Sequence, residues 1–289
     1  MLPAQPLSPA PDSALGRWPA RHPVAAYFGL AYAFSWAVEL PLVAAAQGWV
    51  RWSVPPTLHY LAAFGPLLAA LVVVSATEGR AGVRRWLAGL LRWRVGWVSW
   101  LGAIGLPLAL FGVAAVVNYV TTGQALNLAL LGQVDYLPDL TPLGALGLWL
   151  LTFGLGEELG WRGLALPRLQ RSHSALTASL LLGVVWAFWH LPAFFYKDTY
   201  MAMGLAGGLP MLVLSITAAA LVFTWLYNTS GGSLLVVIVF HALFDFLSVT
   251  PAGGDAAPAL MSAGVIIWAV LIVIFFRPAQ LARQGKHTG

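Results

Sequence analysis

Apolar runs of span length alternate with short polar breaks along most of this chain. A helix needs roughly 20 apolar residues to cross a bilayer. On that rule eight spans are expected, at about 24–47, 56–77, 97–121, 143–163, 175–196, 209–228, 232–250 and 259–276. The end of the fourth is blurred by Arg162, Pro167, Arg168 and Arg171. Residues 1–22, rich in Pro, Ser and Ala, read as a disordered tail with no apolar core, so no cleaved signal peptide is expected. Residues 23–277 form the membrane domain and 278–289 a C-terminal tail. Between the second and third spans, Arg80, Arg84, Arg85, Arg92 and Arg94 alternate with Trp86, Leu87, Leu90, Leu91, Trp93 and Val95. That alternation predicts an interfacial basic helix over 80–95, apolar side down on the membrane. The predicted fold is all-α, a polytopic bundle of about eight transmembrane helices.

Composition agrees with the pattern. The chain is 60% hydrophobic and 9% charged, against about 25% charged in soluble domains. The net charge of +5 comes mostly from arginines between spans, so it reports orientation and gives no argument for nucleic-acid binding. With a cytoplasmic N-terminus, one side holds Arg17, Arg21, Arg80, Arg84, Arg85, Arg92, Arg94, Arg168, Arg171, Arg277, Arg283 and Lys286. The other holds only Arg51 and Lys197. Twelve against two places both termini in the cytoplasm and requires an even number of spans. The absence of cysteine excludes disulfides and thiolate metal sites. The Ala-, Leu-, Gly- and Arg-rich composition with two lysines suggests a bacterial plasma membrane protein. No internal repeat supports a transporter built from inverted halves.

Candidate chemistry lies in the few charges inside spans: Glu39, Glu157, Glu158, Arg162, His190, His241 and Asp245. A charge at the bilayer centre costs about 2.5–3.5 kcal/mol even on the lower scales, so each needs a partner or a function. Glu158 and Arg162 are four apart and share a helix face. Glu157, about 100° away round the helix, has no such neighbour. His241 and Asp245 are again four apart, and a carboxylate can fix an imidazole in one tautomer. Each pair also has a plain reading as a helix-packing contact. Together, an acid on one helix, a His on a second and a His–Asp pair on a third supply a general base, a second acid–base group and oxyanion donors. No Ser or Cys stands beside a base, so water is the economical nucleophile. By rise per residue, Glu157 lies roughly 10 Å and His190 roughly 20 Å from the cytoplasmic end of their spans. Their convergence requires tilt, a broken helix or a late membrane entry of the fifth segment.

The series Glu157-Glu158-x-x-x-Arg162, then Trp186-x-x-x-His190, then His241-x-x-x-Asp245 resembles the CPBP family of intramembrane proteases. That family includes type II CAAX prenyl endopeptidases and relatives tied to bacteriocin self-immunity. The resemblance covers residues 143–250. It implies an endopeptidase in which Glu157 activates water with help from His190. His241 would stabilise the oxyanion with Asp245 in support, while Glu158 and Arg162 hold the site together. Two positions depart from the pattern, which usually has Phe at Trp186 and most often Asn at Asp245. The family has been assigned both metal and glutamate mechanisms. Metal-free catalysis is the expectation here, and the alternative is zinc held by Glu157, His190 and His241. The expected partners are the lipid bilayer and a peptide or membrane-associated protein substrate. A proton-coupled transporter using Glu39, Glu157 and Glu158 as a relay, and a non-catalytic scaffold of the same fold, are the competing readings.

Overall fold

The computed structural model describes residues 21–283 and 285–289, and the described residues contain helices and no strands. The expected N-terminal tail lies outside them apart from Arg21 and His22. Among the described residues, six helices are long and apolar enough to cross a membrane. They run over Pro23–Ala46 (α1), Pro56–Leu91 (with α2 at Gly65–Ala88), Trp97–Thr122 (α3), Ala175–Phe195 (α5 at Ala175–Trp189, continued by a 3-10 turn), Asp198–Thr229 (α6) and Ala257–Phe275 (α8). The two remaining expected spans are built differently. Helix α7 (Leu234–Ser248) has only 15 residues, below the length of a regular crossing.

The fourth expected span is an irregular rod over 142–172, here α4. It runs α over Pro142–Trp149, π over Leu150–Glu157, one α turn over Glu158–Gly160, π over Trp161–Ala165, and α again over Leu166–Ser172. A π turn adds a residue to the turn and re-aims the side chains beyond it, and such turns concentrate at functional sites. The first π segment ends on Glu157 and the second contains Arg162.

Small residues let α4 sink into the bundle. A Cβ on Gly156 would lie 2.7 Å from Ala63 O, and one on Gly160 would collide with Tyr27 Oη and lie 2.6 Å from Pro66 O. Any larger residue at Gly160 would push α4 off α1 and α2. On the opposite side α7 lies along the same rod, while α5 packs along α6 and α6 along α8. The acidic motif therefore sits at the centre, surrounded by Trp161, Leu166, Leu182, Leu226 and Phe240, all at most 1% exposed.

Residues 80–88 continue α2 past a kink at Gly79, whose φ of 63° suits glycine. A short 3-10 turn, Gly89–Leu91, follows. Trp86 and Leu90 face the protein core, whereas Leu87, Leu91 and Trp93 are exposed. The basic segment thus uses one apolar side against the bundle and leaves another outward.

Candidate active site

Four elements supply the centre: α4, α5, α6 and α7. Glu157, Glu158 and Arg162 are at most 1% exposed. Buried polar groups without partners are costly, and here Glu158 Oε2 and Arg162 Nε and Nη2 have no hydrogen-bond partner among the described residues. Arg162 Nη1 donates to Glu158 Oε1 at 2.8 Å, the pairing expected from their spacing. The same oxygen lies 2.8 Å from His241 Nδ1 on α7. His241 Nε2 in turn stands 3.4 Å from Asp245 Oδ2, whose side chain is 27% exposed. A row Arg162–Glu158–His241–Asp245 therefore leads from the buried core toward the surface. Arg162 is further held between rings, its guanidinium carbon 4.4 Å from the Trp186 ring centre and 4.0 Å from that of Phe223.

Glu157 is held by indoles. Trp186 Nε1 donates to its Oε2 at 2.7 Å, and Trp161 Nε1 donates to the same oxygen at 3.2 Å. Trp161 lies one turn along α4, and Trp186 comes from α5. Two donors on one oxygen fix the carboxylate and leave Oε1 outside the pair. No charged side chain hydrogen-bonds to it.

His190 terminates α5. Its Nδ1 lies 2.8 Å from Trp186 O. A carbonyl can only accept, so Nδ1 carries the proton and Nε2 keeps a lone pair. The His190 ring stacks parallel to Tyr200 at 6.5 Å and meets Trp189 edge-on at 4.8 Å.

Trp186 is the residue that joins these groups. Its indole holds Glu157, its carbonyl orients His190, its face carries Arg162, and its ring lies 5.5 Å from that of His241. The sequence motif marks the position as aromatic, but only the fold shows that an indole N–H is used there. Trp161 was not singled out from the sequence, although its i,i+4 spacing from Glu157 was legible. Glu158 and His241, 83 residues apart, become partners only through packing of α4 on α7.

Glu39 belongs to a second row. Tyr196 Oη donates to Glu39 Oε1 at 2.9 Å, so the 2.6 Å contact between His59 Nδ1 and Tyr196 Oη has the imidazole donating. Glu39 makes no hydrogen bond to Glu157 or Glu158.

The alternative zinc set would draw Glu157, His190 and His241 to one ion. Ligating imidazoles must offer a lone pair, yet both His241 nitrogens face carboxylate oxygens. Among the described residues, no group of three or more His, Asp or Glu is placed to hold a metal ion.

The fold and its centre define a polytopic helical membrane protein with a buried acid–histidine site. Residues 139–247 match the family described as type II CAAX prenyl endopeptidase Rce1-like. CAAX prenyl protease 2 of Methanococcus maripaludis is 34% identical over 118 residues, or 39% of this chain and 42% of that protein. The chain thus matches about two fifths of the length of this curated relative. The resemblance carried by the three motifs is shown over the segment that contains all of them.

Proposed function

We propose that this protein is an intramembrane endopeptidase that hydrolyses a peptide bond with water activated by Glu157. The carrying observation is the environment of that carboxylate: fully buried, fixed through one oxygen by two indoles, and adjacent through Trp186 to an imidazole with a free Nε2. A water between Glu157 Oε1 and His190 Nε2 would lose its proton to the carboxylate as its oxygen attacks the substrate carbonyl. The new C–O bond places negative charge on the carbonyl oxygen. His241 supplies the donor for it. Its Nδ1 side is tied to Glu158 at 2.8 Å, but its Nε2 side meets Asp245 only at 3.4 Å, loose enough to turn to an oxyanion. Glu157 then returns the proton to the leaving nitrogen as the C–N bond breaks. Arg162 and Glu158 act as positioning residues. The reaction as written needs no metal.

The substrate on this reading is a peptide or membrane-associated protein, approaching by the partly open Asp245 edge. The membrane is a bacterial plasma membrane with both termini on its cytoplasmic side. The test is cleavage of a peptide library by purified protein in detergent, with products identified by mass spectrometry. Glu157→Gln and His190→Ala should each lose at least roughly a hundredfold in kcat while retaining the wild-type unfolding midpoint. Undiminished turnover in both variants would remove the mechanism.

The transporter reading has one observation of its own, the buried row Glu39–Tyr196–His59. It requires a proton-driven flux in liposomes that Glu39→Gln abolishes.

A further inference from the structure

A cavity of about 570 Å³ opens where α2, α4, α6 and α7 meet, at the arginine-rich end of the bundle. It is distinct from the Glu157 centre. The turn 159–163 separates the two, with Trp86 Nε1 donating to Leu159 O at 2.9 Å across the wall. Four arginines line the cavity: Arg85, Arg92, Arg168 and Arg171. Glu78 is the one acidic side chain in that lining, so four positive charges less one negative leave +3 with histidine neutral.

The hydrogen bonds do not discharge this excess. Both Glu78 oxygens are taken, one by Arg168 Nη2 at 2.6 Å and the other by Arg85 Nη2 at 3.0 Å. Arg92 Nη1 donates to Gly231 O and Arg171 Nε to Thr288 O, both neutral carbonyls. The Arg168 side chain is only 9% exposed, and its Nη1 is buried with no hydrogen-bond partner among the described residues. A buried guanidinium edge without an acceptor is costly. The cavity is large enough to admit one.

Apart from Tyr227 and His287, the remaining lining is apolar or glycine, including Val74, Trp86, Leu164 and Leu234. Beside it Leu87 on α2 and Leu91 in the 3-10 turn point outward, 39% and 79% exposed. A ligand here meets guanidinium groups at one end and hydrocarbon at the other.

We propose that this cavity binds the phosphate group of an anionic phospholipid, with three to four arginines around the phosphate and the glycerol and acyl chains along the apolar wall. Basic pockets between helices at a membrane face suit this chemistry. The tail segment at His287 forms part of the same lining and closes the cavity on its far side.

The experiment uses the full chain in nanodiscs of phosphatidylcholine with and without phosphatidylglycerol, reading bound lipid by native mass spectrometry and the thermal unfolding midpoint. The site variant is R92Q/R171Q, which leaves the Arg85–Glu78–Arg168 cluster intact. The control is R84Q/R94Q, an equal charge loss outside the cavity. A single variant, R85Q, covers the case in which the double variant does not fold. Wild type and control should retain phosphatidylglycerol and gain stability with it, and the site variants should bind it roughly tenfold more weakly or worse. Titration of the detergent-solubilised protein with inorganic phosphate separates the two sources of the anion. A stability gain there equal to that from lipid supports the phosphate site and assigns it to the free ion. Equal lipid retention in wild type, control and site variants overturns the proposal.

Discussion

At the level of single residues, Trp186 carries more of the site than either histidine. Phe in its place keeps a ring against Arg162 and His241 and keeps the backbone carbonyl that orients His190. It removes only the Nε1–H on Glu157. A hydrogen bond to a charged group is worth about 1.5–3 kcal/mol. Trp186→Phe is therefore expected to lower kcat roughly ten- to a hundredfold with little change in KM, checked by steady-state kinetics on the cleaved peptide. An unchanged kcat would show that Trp161 alone fixes Glu157. Asp245 gives the opposite expectation. Asn there still accepts from His241 Nε2 and offers a donor to the oxyanion, so Asp245→Asn should keep turnover within about tenfold of wild type. Asp245→Ala should fall well below both in the same assay. Pairs four apart, Glu158–Arg162 and His241–Asp245, were legible because helical period brings them together. The contacts of Glu157 with Trp186 and of Glu158 with His241 cross between helices, and no periodicity in one segment encodes them.

Among the elements, α4 departs furthest from its sequence pattern. Apolar residues at span length predict a regular helix over 143–163, but two π segments interrupt it. Gly154, Gly156 and Gly160 were visible, yet a run of small residues does not reveal which neighbour it admits. The backbone of Ala63 and Pro66 has to be in place first. The C-terminal segment was likewise read only as a tail. It is tied down by two buried amides: Gln170 Nε2 donates to His287 O at 2.8 Å, and His287 N donates to Asn228 Oδ1 at 3.1 Å. The His287 ring packs on Tyr227, with Arg92 and Arg171 on the cavity wall and Lys286 adjoining. Burial, and then Arg92, hold its pKa below the usual histidine value. Docking therefore favours the neutral ring. A histidine in the released tail titrates near 6.5, so docking is fully favoured above that pH and weakens as pH falls through it. In detergent free of anionic lipid and phosphate, hydrogen exchange at the His287 amide, corrected for intrinsic rates, should show protection above pH 7 that declines toward pH 5. Protection that rises on acidification would reverse the sign and place an anionic partner on the ring.

For the molecule as a whole, charge distribution rather than helix count predicts the orientation. The expectation of about eight spans becomes six helices of full length, one short helix and one interrupted rod. An even number of crossings survives that change only if α4 and α7 cross together or not at all. These two elements form the site and pack on each other, so the parity of the crossings and the position of the active centre are one question. Positive charge answers it from outside the bundle, because Arg80, Arg84, Arg85, Arg92, Arg94, Arg168, Arg171 and the C-terminal Arg277, Arg283 and Lys286 would share one face. Asp135, Asp139, Lys197 and Asp198 would lie on the other. The chain has no cysteine, so single cysteines report position without background. Arg84→Cys and Arg283→Cys replace exposed residues on the basic face, and Asp139→Cys an exposed residue on the acidic one. In intact cells a membrane-impermeant maleimide should label only Asp139→Cys, and all three should label after permeabilisation. Labelling of Arg84→Cys but not Arg283→Cys would mean an odd number of crossings between them. In that case α4 and α7 would not cross together, and the site would have to be reached from a membrane face other than the one the arginines mark.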